Sequence, residues 1–166
     1  MMALRSDWSD DVCPVARAID AIGDPWTLLV LREALAGARR FEQFKRRLTA
    51  ADNVLAARLS RMVEQGLLEA RPYSAGGRPR HEYVPTRAAE DAVPILQAYA
   101  AWGHAHRPSE SENPRFETIC GKCGSTSQRA EVCEFCGELL SVENGVVWQR
   151  PGGWDGRRVQ LTGAES

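Results

Sequence analysis

The chain has 166 residues, 43% of them hydrophobic and 26% charged, with a net charge of −1. That profile fits a soluble globular protein with room for one domain and a small appendage. No apolar run approaches the ~18 residues a membrane helix requires. The opening MMALRSDWSDD lacks the apolar segment of a secretory leader, so a cytoplasmic chain with no membrane role is expected.

Met1 to Asp11 is polar and expected to fray. Cys13-Pro14 reads as a helix start, with proline at the first helical position. Val15, Ala18, Ile19 and Ile22 then form one apolar stripe ending at Gly23. Asp24-Pro25 repeats the signature and opens WTLLVLREALAG, so apolar that a central, buried helix is predicted. Phe41, Phe44 and Leu48 mark a short third helix that leaves Lys45, Arg46 and Arg47 outside. A turn at Thr49 to Asp52 leads to a fourth, with Leu55, Leu59, Met62 and Val63 inward.

Leu67 to Tyr73 and His81 to Val84 read as the strands of a hairpin around Ser74-Ala75-Gly76-Gly77, with Pro72 suited to an edge. Thr86 is placed as the cap of a long helix reaching His106, bent near Glu90 by Pro94. PSESENP, from Pro108 to Pro114, has linker composition. Farther on, Asn144-Gly145 suggests a hairpin turn between LLSV and VVWQ, and Pro151 to Ser166 shows no periodicity. The organisation expected is a domain over 12–107, a linker over 108–114, a small domain over 115–150 and a partly disordered tail over 151–166.

Charge is unevenly distributed. Between Arg39 and Arg80 stand ten Lys/Arg against four Asp/Glu, whereas residues 108–166 carry six basic and nine acidic groups. A compact basic stretch points to a polyanion. Its placement is more telling than its sum, because helix, short helix, polar turn, second helix and two-stranded wing is the order of a winged helix-turn-helix. The second helix of such a pair enters the major groove, and the first crosses the backbone. The candidate DNA contacts are Arg46 and Arg47 on the first helix and Asn53, Ala57, Arg58, Ser60 and Arg61 on the second, with Arg78 and Arg80 at the wing tip. Asn pairs with adenine, Arg with guanine, and small alanines permit close approach. Any amphipathic helix keeps arginines in water, so no single one is informative; the constellation is.

These residues also resemble a family. CPVARAIDAIGDPWTLLVLREALAGARRFEQFKRRL, NVLAARLSRMVEQGLLEARPY and RPRHEY are similar to the HxlR-type bacterial transcriptional regulators, relatives of the MarR group, over roughly Cys13 to His106. The resemblance implies a homodimeric DNA-binding regulator, with dimer contacts from Cys13–Ile22 and Arg87–His106, reading an inverted repeat. Where such regulators usually show L-T-x-x-G after the wing, this chain has Pro85-Thr86-Arg87-Ala88-Ala89, and it continues well beyond the usual end. Some members of the group sense oxidants, quinones or aldehydes through a cysteine placed like Cys13. Here the free N–H groups of a helix start and Arg17 one turn on give that thiol a route to reactivity. The other reading of Cys13 is a small residue packed at a dimer contact.

Four of the five cysteines fall as C-x2-C-x9-C-x2-C: Cys120, Cys123, Cys133 and Cys136. Two such knuckles can put four thiolates on one ion, the closed tetrahedral site of structural zinc. Gly121, Gly124 and Gly137 sit where the chain must turn toward the metal, and the few apolar residues around them need a staple. Rubredoxin-like iron and dithiol redox chemistry are the competing readings, the latter lacking a βαβ context. No phosphate-binding glycine loop or Ser/His/Asp set is present, so an enzyme is not expected. The fold class predicted is mainly α with a small β wing, plus a small β-rich zinc ribbon. The function predicted is a homodimeric DNA-binding regulator, a repressor in sense, that answers a thiol-reactive or small-molecule signal. The alternative is a zinc-dependent protein-interaction adaptor that no longer reads DNA.

Overall fold

The structure, a computed structural model, describes residues 7–75, 78–110, 116–150 and 157–163. Helices α1 (Pro14–Ile22) and α2 (Pro25–Leu35) come first, then the pair α3 (Phe41–Leu48) and α4 (Asp52–Glu64). The hairpin of β1 (Leu68–Ala75) and β2 (Arg78–Pro85) pairs antiparallel from Leu68 with Pro85 to Ala75 with Arg78. The expected hairpin tip at Gly76-Gly77 lies outside the described residues.

The long helix predicted from Thr86 is two helices, α5 (Arg87–Glu90) and α6 (Val93–His106). Pro94 sits in the first turn of α6, where its missing N–H costs nothing, so the chain breaks before it instead of bending through it. Thr86 does not cap α5 with its side chain. Its hydroxyl donates to the carbonyls of Gly66 and Leu67, tying this corner to the end of α4.

The C-terminal part is a four-stranded sheet in the order β4-β3-β5-β6, formed by β3 (Glu117–Ile119), β4 (Thr126–Ser127), β5 (Val147–Gln149) and β6 (Arg158–Gln160). One expectation is corrected here. LLSV and VVWQ are not hairpin partners: Gly145 does close a turn onto Val142, but β5 pairs with β3 on one side and β6 on the other. In the tail, the described residues 157–163 include β6 as a sheet edge, and Leu161 is buried. The tail's lack of periodicity reflects a strand of only three residues.

Burial explains how the parts meet. Val30, Leu31, Ala34, Leu35, Phe44, Leu55, Leu59 and Met62 form a hydrophobic cluster that continues without a gap into Leu140, Val146, Trp148 and Leu161 of the C-terminal sheet. The Leu35 carbonyl accepts from the Thr162 N–H at 2.9 Å, and Gln97 Nε2 donates to the Leu140 carbonyl at 3.3 Å. Ring centroids of Phe116 and Trp148 stand 5.1 Å apart beneath α6, whose His104 contacts the Phe116 carbonyl. The cysteine-bearing sheet therefore shares the core of the helical part. No helix among the described residues is long and apolar enough to cross a membrane.

Candidate nucleic-acid interface and metal site

Helix α4 is fixed by Leu55, Leu59 and Met62, all buried against α2 and α3. That leaves Asn53, Ala56, Ala57 and Ser60 exposed in sequence along the opposite side, with Arg61 half-exposed beside them. Thr49, at the turn between α3 and α4, adopts the left-handed region at φ 51°. For a β-branched residue this is a strained conformation, held because the two helices are packed on either side.

Asp24 orients α4. One oxygen, Oδ1, accepts from the N–H groups of Trp26 and Thr27 and so caps α2. The other, Oδ2, is 2.8 Å from Arg58 Nη2, and Arg58 Nη1 donates to Thr27 Oγ1 at 3.3 Å. The Arg58 side chain is only 15% exposed. It was expected to face DNA, but in the structure it is spent on holding α4 against the start of α2.

The wing is fastened to α3. Arg40 bridges to Glu82 of β2, the Tyr83 N–H donates to the Arg39 carbonyl at 2.7 Å, and Phe44 meets Tyr83 edge-on. Gln43 Oε1 accepts from the N–H groups of both Arg39 and Arg40, closing the start of α3. Between them lies a cleft bearing Arg40, Arg46, Arg80 and His81, with Glu42 as the one carboxylate among the described residues on its lining. The Arg40 guanidinium stacks over the Tyr73 ring at 4.7 Å and pairs with Glu82, whose hydrogen bond raises its pKa. Arg40 and His81 were not singled out from the sequence, because their place beside Arg46 and Arg80 depends on the bridge between α3 and β2. Arg78 is in β2, but its side chain lies outside the described residues.

Arg47 turns inward in part. Its Nη1 reaches Glu33 Oε2 at 3.4 Å and the Ala36 carbonyl at 3.3 Å. Glu33 is 1% exposed. It also receives Arg32 Nε at 3.0 Å and Arg150 Nη2, from the C-terminal sheet, at 3.0 Å. Burial lowers the Arg32 pKa, and the adjacent Glu33 carboxylate partly restores it. Three arginines from α2, α3 and the end of β5 thus share one buried carboxylate. The sequence held a hint, a lone Glu in a helix that is otherwise nearly all apolar.

The four cysteines converge. Their Sγ atoms all lie within 4.8 Å of one another, with Cys120–Cys136 and Cys123–Cys133 each at 3.7 Å. Zinc–sulfur bonds of about 2.3 Å in a tetrahedron require a sulfur–sulfur edge of about 3.8 Å, so the set fits a tetrahedral ion. The two knuckles are built alike. The N–H groups of Cys120 and Cys133 donate to the carbonyls of Ser125 and Glu138, and those of Gly124 and Gly137 donate back to Cys120 and Cys133. The return requires φ of +72° and +74°, which glycine adopts without a Cβ clash. Hydrogen bonds from Ser125 bring the Cys123 thiol down to about 6. The Glu138 N–H lowers Cys136, but burial and the neighbouring thiols outweigh it and push that group up to about 12. The Cys123 thiolate forms readily, and that of Cys136 needs a cation to form beside it.

Cys13 is exposed as the N-cap of α1, with its N–H donating to Asp11 Oδ1 at 2.7 Å. Arg17, expected near its sulfur, donates to the Asp11 carbonyl instead.

Comparison with known proteins agrees with this geometry. The family described as HxlR-like helix-turn-helix matches residues 21–111. Rv3095 of Mycobacterium tuberculosis, named an uncharacterized HTH-type transcriptional regulator, is 37% identical over 138 residues, 83% of this chain and 85% of its own. Among solved structures, PA1607, a candidate transcription factor, aligns with a TM-score of 0.67 and 33% identity over 84% of this chain and 96% of its own. The redox regulator HypR in its reduced form aligns with a TM-score of 0.53 and 25% identity, over 57% of this chain and 94% of its own.

Proposed function

This chain belongs to the HxlR-like helix-turn-helix family of DNA-binding transcriptional regulators, and from that premise we propose that it acts as a homodimer on an inverted-repeat operator. The observation that carries the reading is the free face of α4. Asn53, Ala57 and Ser60 are exposed and Arg61 half-exposed, next to a basic cleft that ends in Arg80. The helix supplies base contacts, and Arg46, Arg40 and Arg80, with Arg78 beyond them, supply phosphate contacts. Arg58 and Arg47 act as positioning residues, holding α4 and α3 in place through Asp24 and Glu33.

Two helices support the dimer. No residue of α1 is buried, and Val15 and Ile19 lie open next to Ile95 and Tyr99 of α6, on which Tyr99 is 59% and Trp102 55% exposed. An apolar stripe of this size on two adjoining helices needs a second copy to cover it. Two α4 helices in one dimer then face two half-sites. Occupying an operator suffices to exclude other proteins from it, and repression is the sense proposed. The cysteine cluster holds structural zinc, and with no open position the metal supports the fold and takes no part in chemistry. Exposed Cys13 is the place where a thiol-reactive signal would act, in keeping with the likeness to the redox regulator HypR.

Fragments selected from genomic DNA by the purified protein test this. Affinity should fall with salt, and Arg61→Ala should weaken binding and flatten the salt slope by about one. Binding indifferent to both salt and Arg61 would falsify the reading.

A further inference from the structure

Between α2, α6 and the ribbon lies a cavity of about 560 Å³, inside the roughly 300–1,000 Å³ of small-molecule sites. Its walls are apolar: Leu28 and Leu29 on α2, Leu96 and Tyr99 on α6, and Phe116 and Trp148 on the ribbon. Arg32, His104 and Arg107 are the basic side chains on its lining, and no carboxylate is among the described residues that form it. We propose that this cavity binds a flat, mostly apolar organic anion and that its occupancy changes the affinity for DNA. As an effector site it rests on the regulator reading above.

Two aspects of the geometry favour such a ligand. The rings of Phe116 and Trp148, with centroids 5.1 Å apart and planes inclined at 58°, form an aromatic corner against which a ligand ring packs edge to face. The cationic rim suits an acid group, and Arg107 stands at the open end over the Trp102 ring. The route to DNA runs through Arg32. It holds Glu33 Oε1 at 2.9 Å, and the same carboxylate holds Arg47 of α3 and Arg150 of the ribbon. A ligand acid beside Arg32 competes with Glu33 for that guanidinium and shifts the balance among the three arginines.

The test uses the zinc-loaded full chain and two fluorescent probes, anilinonaphthalene sulfonate and its uncharged relative phenylnaphthylamine. Gly103 lies on the cavity lining, and a Cβ added there meets nothing within 4 Å. Gly103→Leu should therefore fill the space without a clash. We expect saturable binding of the anionic probe at one site per chain, weakened about tenfold or more by Gly103→Leu. Arg107→Ala should weaken the sulfonate but leave the neutral probe unchanged. The sulfonate should also move the midpoint of operator binding in the wild-type chain and not in Gly103→Leu. Probe binding that is absent, or equal in Gly103→Leu, overturns the site. Equal affinity for the neutral probe overturns the anion assignment, and an operator midpoint indifferent to the probe overturns the effector role. Loss of dimer in Gly103→Leu by light scattering also overturns the proposal, because the cavity is then a seat for the second copy. Failure of the regulator reading shows separately, as a protein that binds the probe in the cavity but shifts no DNA at any salt.

Discussion

Replacing Glu33 by Gln tests how the ribbon is held. The amide keeps the volume but removes the one negative charge shared by Arg32, Arg47 and Arg150. Arg150 is 4% exposed, so water cannot replace the lost anion there. Removing one partner of a buried ion pair costs about 3–5 kcal/mol, because the remaining charge stays desolvated. For a chain of this length each kcal/mol lowers the melting midpoint by roughly 2–4 °C, so a fall of about 6–20 °C is expected in the zinc-loaded protein. Scanning calorimetry on the zinc-loaded protein reads the midpoint without relying on any one of its five tryptophans. Adding Arg150→Met to Glu33→Gln should recover part of the loss, because it removes a stranded cation and leaves an apolar side chain in its place. A cost below about 1 kcal/mol for Glu33→Gln, or single costs that simply add, would refute the view of Glu33 as the shared counter-charge.

Two further outcomes are expected. Thr49→Gly should stabilise the chain by about 1 kcal/mol, because glycine takes φ 51° without the strain a β-branched residue carries there; a lower melting midpoint would sink that reasoning. Zinc uptake near neutral pH should release protons, that of Cys136 at the least, because its pKa is pushed up to about 12 in the free thiol cluster. The sign follows from thiolate ligation: apparent affinity falls as pH falls, and more steeply below about 6, where Cys123 takes up its proton. Dye-monitored titration reads both, and a pH-independent affinity with no proton release would contradict four-thiolate binding.

The elements that do local work were legible in the sequence. Pro14 and Pro25 start helices where proline is tolerated, Leu55, Leu59 and Met62 set the inward face of α4, and the cysteine spacing alone places four sulfurs within reach of one ion. Pairings between distant segments were not legible. Arg58 reads as an outward residue from its helical position, and only the fold shows Asp24 and Thr27 waiting for it. LLSV and VVWQ around Asn-Gly carry a good local hairpin signal. Two longer-range partners, β3 and β6, nevertheless take the sides of β5. Local propensity loses there because a central strand satisfies its backbone on both edges, whereas a hairpin satisfies one.

The acidic ribbon is joined to the basic helical part by packing as well as by the chain. A tethered appendage would leave the winged helix complete without it, but α2 is not complete alone. Its Leu35 carbonyl is met by Thr162, its Glu33 by Arg150, and its apolar face by Trp148 and Leu161. At its other end α2 carries the Asp24 cap that grips Arg58 of the recognition helix. One eleven-residue helix therefore touches the cysteine-bearing sheet at its C-terminal end and sets the placement of α4 at its N-terminal end. Removing the ion proposed for the four cysteines is therefore expected to loosen the sheet that shares this core. The first groups to feel that loosening are Glu33 and Leu35, on the helix that orients the DNA-reading face.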